Sequence, residues 1–208
     1  MFTGIVTEMG LVAAVDETAT GRRLVVDAPR SVGAAGGGEG MVIGDSIAVN
    51  GVCLTAVAID GATVAFDVVR ESLERSNLGD VEPGSRVDLE RPMPASGRFD
   101  GHIVQGHVDG VGTVVSTSAE GDARRVRIAV PIDIAAYVVE KGSITVDGVS
   151  LTVTAVSTPG DAAPWFEIVL IPHTLDVTVL GSRIPGSRVN LEADVIAKYV
   201  ERMMEARS

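Results

Sequence analysis

Residues 47–57 recur in altered form at residues 144–154, and this internal repeat constrains the fold more than any other feature of the chain. In both copies alternating β-branched residues lead into an Asn-Gly or Asp-Gly pair, which favours a two-residue turn between antiparallel strands. Beyond the turn the first copy carries Cys53 and the second carries Ser150. The repeat therefore predicts two similar hairpins that differ at one nucleophile-capable side chain.

Further matches extend the repeat over nearly the whole chain. Residues 83–90 and 185–192 are identical at all but one position, and they are separated by 102 residues, as are Gly4 and Gly106. A constant separation at both ends indicates a duplication. Each copy holds about six short predicted strands in roughly 100 residues, a pattern typical of a compact antiparallel barrel or sandwich.

The boundary between the two copies is predicted near residues 96–98. This gives an N-terminal domain of residues 1–97, a C-terminal domain of residues 98–194 and a final segment of residues 195–208. In the final segment apolar residues recur at helical spacing, and Asp194 is well placed to cap the helix. The apolar stripe of this helix must pack against the barrels or against other subunits.

One segment has no match in the second copy. Residues 31–40 are rich in glycine, and residues 33–40 hold all of those glycines. We interpret the segment as a flexible surface loop and assign it no chemistry.

Composition narrows the classes of function. The net charge of −11 argues against nucleic acid or an anionic membrane as a partner. No apolar run is long enough to span a bilayer, and the first residues lack the pattern of a signal peptide, so we expect a cytoplasmic protein. The single cysteine fits a reducing compartment. Three histidines and one cysteine show no metal-ligand spacing, so no metal site is predicted.

With the duplicated turn motif, residues 1–6 and residues 170–175, the chain resembles the riboflavin synthase family of lumazine-binding repeats. The resemblance implies an all-β fold of two similar six-stranded antiparallel Greek-key barrels followed by a C-terminal α-helix. It implies a homotrimer joined by that helix, with each site between the N-terminal barrel of one subunit and the C-terminal barrel of its neighbour. It also makes lumazine synthase a candidate partner.

The activity that the resemblance implies is that of a transferase. Two molecules of 6,7-dimethyl-8-ribityllumazine exchange a four-carbon unit, giving riboflavin and 5-amino-6-ribitylaminopyrimidinedione, with no metal or organic cofactor. A reaction between two copies of one substrate needs two similar pockets with opposite roles, and holding the two rings in register is itself a large effect, on the order of 7–11 kcal/mol. A duplication that keeps shape but exchanges Cys53 for Ser150 suits this requirement.

The resemblance also implies the substrate contacts. The first lumazine is expected on Cys53, Leu54, Thr55, Asp67, Val68, Val69, Arg70, Glu71 and Ser72, closed by Gly106, His107, Val108 and Lys141. The second is expected on Ser150, Leu151, Thr152, Val169, Leu170, Ile171, Pro172, His173 and Thr174, closed by Phe2, Gly4, Ile5 and Val6. The opening of each repeat would thus serve the pocket of the other.

The candidate catalytic side chains each have a structural alternative. Cys53 is interpreted either as a reactive thiolate in the site or as a small buried apolar side chain. Ser150 is interpreted either as a functional hydroxyl or as a side chain that hydrogen-bonds within the turn. Asp194 is catalytic, a helix cap or both. His107 breaks the internal symmetry, because Ile5 occupies its place in the first repeat, and it is a natural proton carrier unless it only bonds within a turn.

Thr152 is the remaining catalytic candidate, with a plain strand threonine as its alternative. His102 ranks below His107. The nucleophile that adds to the acceptor ring is left open between water, Ser150 and Cys53.

Two other functions fit the same repeat. A non-catalytic lumazine- or flavin-binding antenna protein would have the same duplicated barrels but bind one chromophore. A purely structural trimer would have no use for the polar residues that follow the turns.

Overall fold

The computed structural model describes residues 1–33 and 40–206. The first repeat forms strands β1 (Glu8–Thr18), β2 (Gly21–Asp27), β3 (Ser46–Val49), β4 (Val52–Asp60), β5 (Thr63–Val69) and β6 (Arg86–Glu90). The second forms β7 (Gly110–Glu120), β8 (Ala123–Ala129), β9 (Ser143–Val146), β10 (Val149–Val156), β11 (Trp165–Leu170) and β12 (Arg188–Ala193). The helices are α1 (Pro29–Val32), α2 (Arg70–Glu74), α3 (Ile132–Ala135), α4 (Pro172–Val177) and α5 (Val195–Glu205), and Asn77–Asp80 and Val179–Ser182 form 3₁₀ turns.

The strands close into two antiparallel barrels with the same connectivity. The first barrel runs β1-β2-β5-β4-β3-β6, and the second runs β7-β8-β11-β10-β9-β12. Closure pairs the last strand of each repeat with its first, so the described strands leave no unpaired edge in either barrel. The prediction of two six-stranded Greek-key barrels with a C-terminal helix is confirmed.

Each barrel has its own apolar core. Alternate residues of the strands point inward, as the two-residue period of a strand requires, and Phe66 and Phe166 are fully buried in the first and second core. The predicted hairpin turns are present at Asn50-Gly51 and Asp147-Gly148. All four residues have positive φ, between 45° and 83°, as the tight turn between twisted strands demands.

The strands β5 and β11 are each followed by a short helix rather than by further strand. β5 ends at Val69 and β11 ends at Leu170, and each continues directly into a short helix. In the second repeat the cause is Pro172, which cannot donate to a strand ladder and fits the first turn of a helix. In the first repeat the Arg70 N–H still donates to the Thr20 carbonyl, next to the Gly21–Val69 pair, and α2 begins at Arg70 without a proline.

The interpretation of residues 31–40 as a surface loop was wrong at its start. Ser31 and Val32 belong to α1 and are buried. The helix is held because the Glu8 carboxylate accepts hydrogen bonds from the backbone N–H groups of Arg30 and Ser31, at 3.0 and 2.7 Å. Residues 34–39, which hold most of the glycines, lie outside the described residues.

The final helix α5 begins where predicted. The Asp194 carboxylate accepts a hydrogen bond from the Ile196 N–H at 2.9 Å, so Asp194 is the expected cap. Lys198 pairs with Asp109 at 2.6 Å and ties the helix to the second barrel. Five apolar side chains of the helix are more than half exposed: Ile196, Tyr199, Val200, Met203 and Met204. Among the described helices, none is long and apolar enough to cross a bilayer.

Candidate active site

The two barrels meet at their duplicated turns. Gly51 and Gly148 pack backbone to backbone, and a Cβ atom added to either would lie 2.7 Å from the backbone nitrogen of the other. Only glycine allows this approach. The contact is reciprocal, so the turns that precede Cys53 and Ser150 meet across an approximate two-fold axis.

The opening segments of the two repeats are exchanged across this axis. The Ser150 N–H donates to the Gly4 carbonyl at 2.7 Å, and the Cys53 N–H donates to the Gly106 carbonyl at 2.8 Å. Phe2 and Val104 exchange backbone hydrogen bonds with each other. Each candidate nucleophile therefore sits against the opening segment of the other repeat, and we refer to these two arrangements as the Cys53 cradle and the Ser150 cradle.

Two buried glutamates hold the opening segments in place. Glu90 accepts hydrogen bonds from the backbone of Thr3 and Gly4, at 2.7 and 2.9 Å, and from the Thr3 hydroxyl at 2.8 Å. Glu192 accepts from three successive N–H groups, those of residues 105–107, at 2.7 to 3.0 Å. Burial raises the pKa of both carboxyl groups, and the backbone donors oppose this rise.

Sequence reasoning missed the two glutamates as site residues. They end the best-matched segment of the repeat, residues 83–90 and 185–192. A charged residue that closes both copies of a strand was the signal that could have found them.

The Ser150 cradle contains a hydrogen-bonded histidine. His102 Nδ1 lies 2.7 Å from Ser150 Oγ, and the His102 backbone N–H donates to the Thr3 carbonyl. Burial lowers the pKa of His102, and the nearby charge of Asp194 opposes this shift in part. A neutral imidazole at this distance can accept the hydroxyl proton, so the pair is equipped for general acid–base work.

The Cys53 cradle has a different environment. Cys53 is half-buried and packs against the fully buried Phe2, Val104 and Ala48. The His107 backbone N–H is held by Glu192, while the residue as a whole is exposed. The described contacts therefore join His102, rather than the favoured His107, to a candidate nucleophile.

The other predicted contact residues form an exposed group, a buried group and a partly exposed group of Val6, Ser72, Val108, Leu151, Val169 and Thr174. The exposed group clusters around the ends of β5 and β11 and on α2 and α4, with Thr55, Thr152 and Lys141 on adjoining strands and loops. Its members include Asp67, Val69, Arg70, Glu71, Ile171, Pro172 and His173. The buried group, whose side chains lie in the cores and whose contacts with a ligand would come from backbone, is Phe2, Leu54, Val68 and Leu170.

Two contacts in the exposed group were not foreseen. Asp67 pairs with Arg23 through two hydrogen bonds of 2.7 and 2.9 Å, and the pair lowers the pKa of Asp67. Lys141 has a positive φ of 65°, and its backbone N–H donates to the Val153 carbonyl. Within the described residues no three His, Cys, Asp or Glu side chains are grouped as metal ligands would be.

Comparison with known proteins explains the duplicated cradles. The family model described as "Lumazine binding domain" matches residues 3–92 and again residues 105–194. This chain belongs to the lumazine-binding domain family. The two matches cover most of the chain and correspond to the two barrels.

Individual relatives agree with the family. The chain is 51% identical to riboflavin synthase of Mycobacterium tuberculosis over 208 residues, covering 99% of both proteins. It is 37% identical to riboflavin synthase of Bacillus subtilis, covering 98% of this chain and 90% of that one. Among solved structures, LumP complexed with 6,7-dimethyl-8-(1'-D-ribityl) lumazine aligns with a TM-score of 0.79 at 26% identity, covering 93% of this chain and 99% of that one.

Proposed function

We propose that this protein is a transferase that catalyses the riboflavin synthase reaction. Two 6,7-dimethyl-8-ribityllumazine molecules exchange a four-carbon unit and give riboflavin and 5-amino-6-ribitylaminopyrimidinedione. The observation that carries the proposal is the pair of cradles, which share one backbone arrangement and differ in their reactive side chains. The near-full-length identity to riboflavin synthase of Mycobacterium tuberculosis supports the same reaction.

The two cradles suit the two roles that the reaction needs. One lumazine loses a proton from its 7-methyl group and attacks, while the other accepts the attack after a nucleophile has added to its ring. We assign proton transfer to His102 acting with Ser150, because the pair is already hydrogen-bonded and the imidazole is biased toward its neutral form. The nucleophile stays open between water, Ser150 and Cys53.

The remaining predicted residues form the binding surfaces in this proposal. Thr152 lies on β10 two residues beyond Ser150 and presents its exposed side chain to a ligand. Asp194 caps α5, and its charge raises the pKa of His102, against the lowering that burial causes. Contacts to the rings and ribityl chains come from the residues next to Cys53 and from the residues at the ends of β5 and β11.

The assembly in this proposal is a homotrimer with each site shared between neighbouring subunits. The exposed apolar stripe of α5 supports association through the helix, because side chains such as Tyr199 and Met203 are 67% and 60% exposed in the single chain. Removing residues 195–208 should convert the trimer to monomers and abolish most activity, as measured by light scattering and riboflavin fluorescence. A fully active monomer would disprove the shared site.

Three further predictions belong to the proposal. The chain divides into domains of residues 1–97 and 98–194 and a helical segment of residues 195–208. The protein acts in the cytoplasm, for which the single cysteine is the support. Association with lumazine synthase rests on the family resemblance alone.

A lumazine-binding protein without turnover is the second candidate function. The similarity to LumP, solved with the lumazine bound, favours it. The hydrogen-bonded His102 and Ser150 favour the enzyme, since binding of a chromophore requires no proton carrier.

Turnover measurements separate the two candidates. The purified protein, with a chelator present, should convert two lumazines into one riboflavin, followed by riboflavin fluorescence and by chromatography of the pyrimidine product. Saturable lumazine binding without riboflavin formation would reject the enzyme. Ser150→Ala serves as the matched variant that should keep binding while losing turnover.

A further inference from the structure

The tetrapeptide that begins the best-matched segment of the duplication belongs to neither cradle. Pro-Gly-Ser-Arg occurs at residues 83–86 and again, unchanged, at residues 185–188. The proline, glycine and serine are explained by the turn that leads into β6 or β12. The arginines are not needed for such a turn, so their position requires another account.

The two arginines line one cleft on the approximate two-fold axis between the barrels. This junction cleft has a volume of about 320 Å³, and its polar wall is formed by Ser85, Arg86, Asp80, Arg183, Ser187 and Arg188. Ser85 matches Ser187, and Arg86 matches Arg188, each at a separation of 102 residues. The cleft thus receives the same serine–arginine pair from both repeats.

The arginines retain unused donors. No hydrogen bond or ion pair joins the Arg86 guanidinium to any residue that the structure describes. Arg188 contacts Asp80 through Nη1 at 2.5 Å, and Arg183 contacts Asp147 through Nε and Nη2 at 2.9 and 2.6 Å. A guanidinium has five N–H donors, so each of the three has donors left for a ligand.

Ser85 and Ser187 have the same hydrogen-bond arrangement as each other. Ser85 Oγ accepts a hydrogen bond from the Glu82 N–H, and Ser187 Oγ accepts one from the Ile184 N–H, both at 3.0 Å. Each bond uses an acceptor site of the hydroxyl group and leaves its hydrogen available. Two hydroxyl donors and three guanidinium groups therefore surround one small volume.

The charge of the cleft contrasts with that of the whole protein. The chain carries a net charge of −11, whereas the wall of the cleft has three arginines against the carboxylates of Asp80 and, behind Arg183, of Asp147. General attraction of anions to an acidic protein is unfavourable, so an anion held here must be held by directed donors. Arginine forks match the geometry of phosphate oxygens.

We propose that the junction cleft binds a phosphate dianion, as orthophosphate or as a small phosphomonoester, between the Ser85-Arg86 and Ser187-Arg188 pairs. The bound anion touches both repeats. It stabilises their association, because a ligand that binds the folded protein alone raises its stability by mass action. This site does not depend on the lumazine chemistry.

Calorimetry on the full-length protein tests the site. Titration with inorganic phosphate, and separately with glycerol 3-phosphate, is carried out against chloride at matched ionic strength. Arg86→Gln should weaken binding at least tenfold and remove the rise in melting temperature that phosphate causes. The tighter-binding probe identifies whether the free ion or the ester is the ligand.

Arg30→Gln is the matched control, since it removes one exposed positive charge from α1, outside the cleft. Because Arg86 is exposed and unpaired among the described residues, Arg86→Gln should fold normally and form riboflavin at the unaltered rate in chloride buffer. Equal loss of phosphate binding in both variants would overturn the proposal, as would absence of binding to the unaltered protein.

Discussion

The Cys53 cradle and the Ser150 cradle have one backbone design and two chemistries. Each candidate nucleophile donates its backbone N–H to a glycine carbonyl of the other repeat, and each opening segment is fixed by a buried glutamate. Among the residues that the structure describes, an imidazole lies at hydrogen-bonding distance from Ser150, whereas Cys53 packs against apolar side chains. Duplication preserved the framework, while single substitutions and the connection between repeats changed the chemistry.

The connection between the repeats creates much of that difference. The segment with Gly101 and His102 passes along the opening segment of the chain and bonds to the Thr3 carbonyl. A Cβ atom at Gly101 would lie 2.0 Å from that carbonyl oxygen, so the close approach requires glycine. The segment between the repeats thereby places His102 next to Ser150.

Among the predicted effects, the largest is on the turnover rate when the His102 imidazole is removed from the Ser150 cradle. His102→Gln should lower kcat at least about 100-fold, the lower range for loss of a general base. Since burial lowers the pKa of His102 from the ordinary 6.5, the rate of the unaltered enzyme should fall only below that pH, as the imidazole becomes protonated. His102→Gln should remove this acid limb from the pH profile of kcat/KM. If His107→Gln removes the limb instead, His102 is not the base.

Adding a methyl group to Gly4 or Gly106 tests whether the two opening segments pack equally closely against Ser150 and Cys53. A Cβ atom at Gly4 would lie 2.6 Å from Ser150 Cβ, and one at Gly106 would lie 2.7 Å from Cys53 Cβ. Both glycines also have positive φ. Gly4→Ala and Gly106→Ala should each lower the free energy of unfolding by about 2–4 kcal/mol in urea denaturation, backbone strain and steric overlap combined.

Gly121→Ala is the control for those variants. Gly121 has a similar φ of 61° but open space around it. Gly121→Ala should lower the free energy of unfolding by about 1 kcal/mol, from the left-handed backbone conformation alone. A cost at Gly4 or Gly106 no greater than at Gly121 would mean that the opening segments are loosely held.

The smallest predicted effect concerns the polar junction between the barrels, where Asp88 in one repeat matches Asn190 in the other. Asp88 is 2% exposed, and its Oδ2 atom has no hydrogen-bond partner among the described residues. Burial raises the pKa of Asp88 well above the usual 3.8, and the charge of Asp147 adds to the rise. The carboxyl group of Asp88 therefore keeps its proton to a higher pH in the native state than in the unfolded chain.

The pH dependence follows from that shift. Between the unfolded pKa near 3.8 and the higher folded pKa, the unfolded chain loses its proton first, so the unaltered protein loses stability as the pH rises. Asp88→Asn should be more stable by about 1 kcal/mol at neutral pH, with a gain that shrinks toward pH 4. Thermal unfolding from pH 4 to pH 8 measures this gain, and a pH-independent difference would contradict the assignment.

Much of the fold could be predicted from patterns that act locally. Alternating β-branched residues and the Asn-Gly and Asp-Gly turns give the hairpins, and the constant separation of the repeats gives two like barrels. The helical spacing after Asp194 gives α5. The ends of β5 and β11 could not be placed in the same way, because each strand continues directly into a short helix, and only the second repeat carries a local signal for this, Pro172.

The sequence by itself determined that two similar cradles exist and that they differ at Cys53 and Ser150. Only the tertiary structure decided which histidine reaches a nucleophile, which glutamates hold the opening segments and which arginines share a cleft. The physical reason is that hairpins and helices follow from neighbours along the chain. The contact of Thr3 with Glu90 joins residues far apart along the chain, and Arg86 and Arg188 line one cleft, so both features depend on how the barrels close and dock.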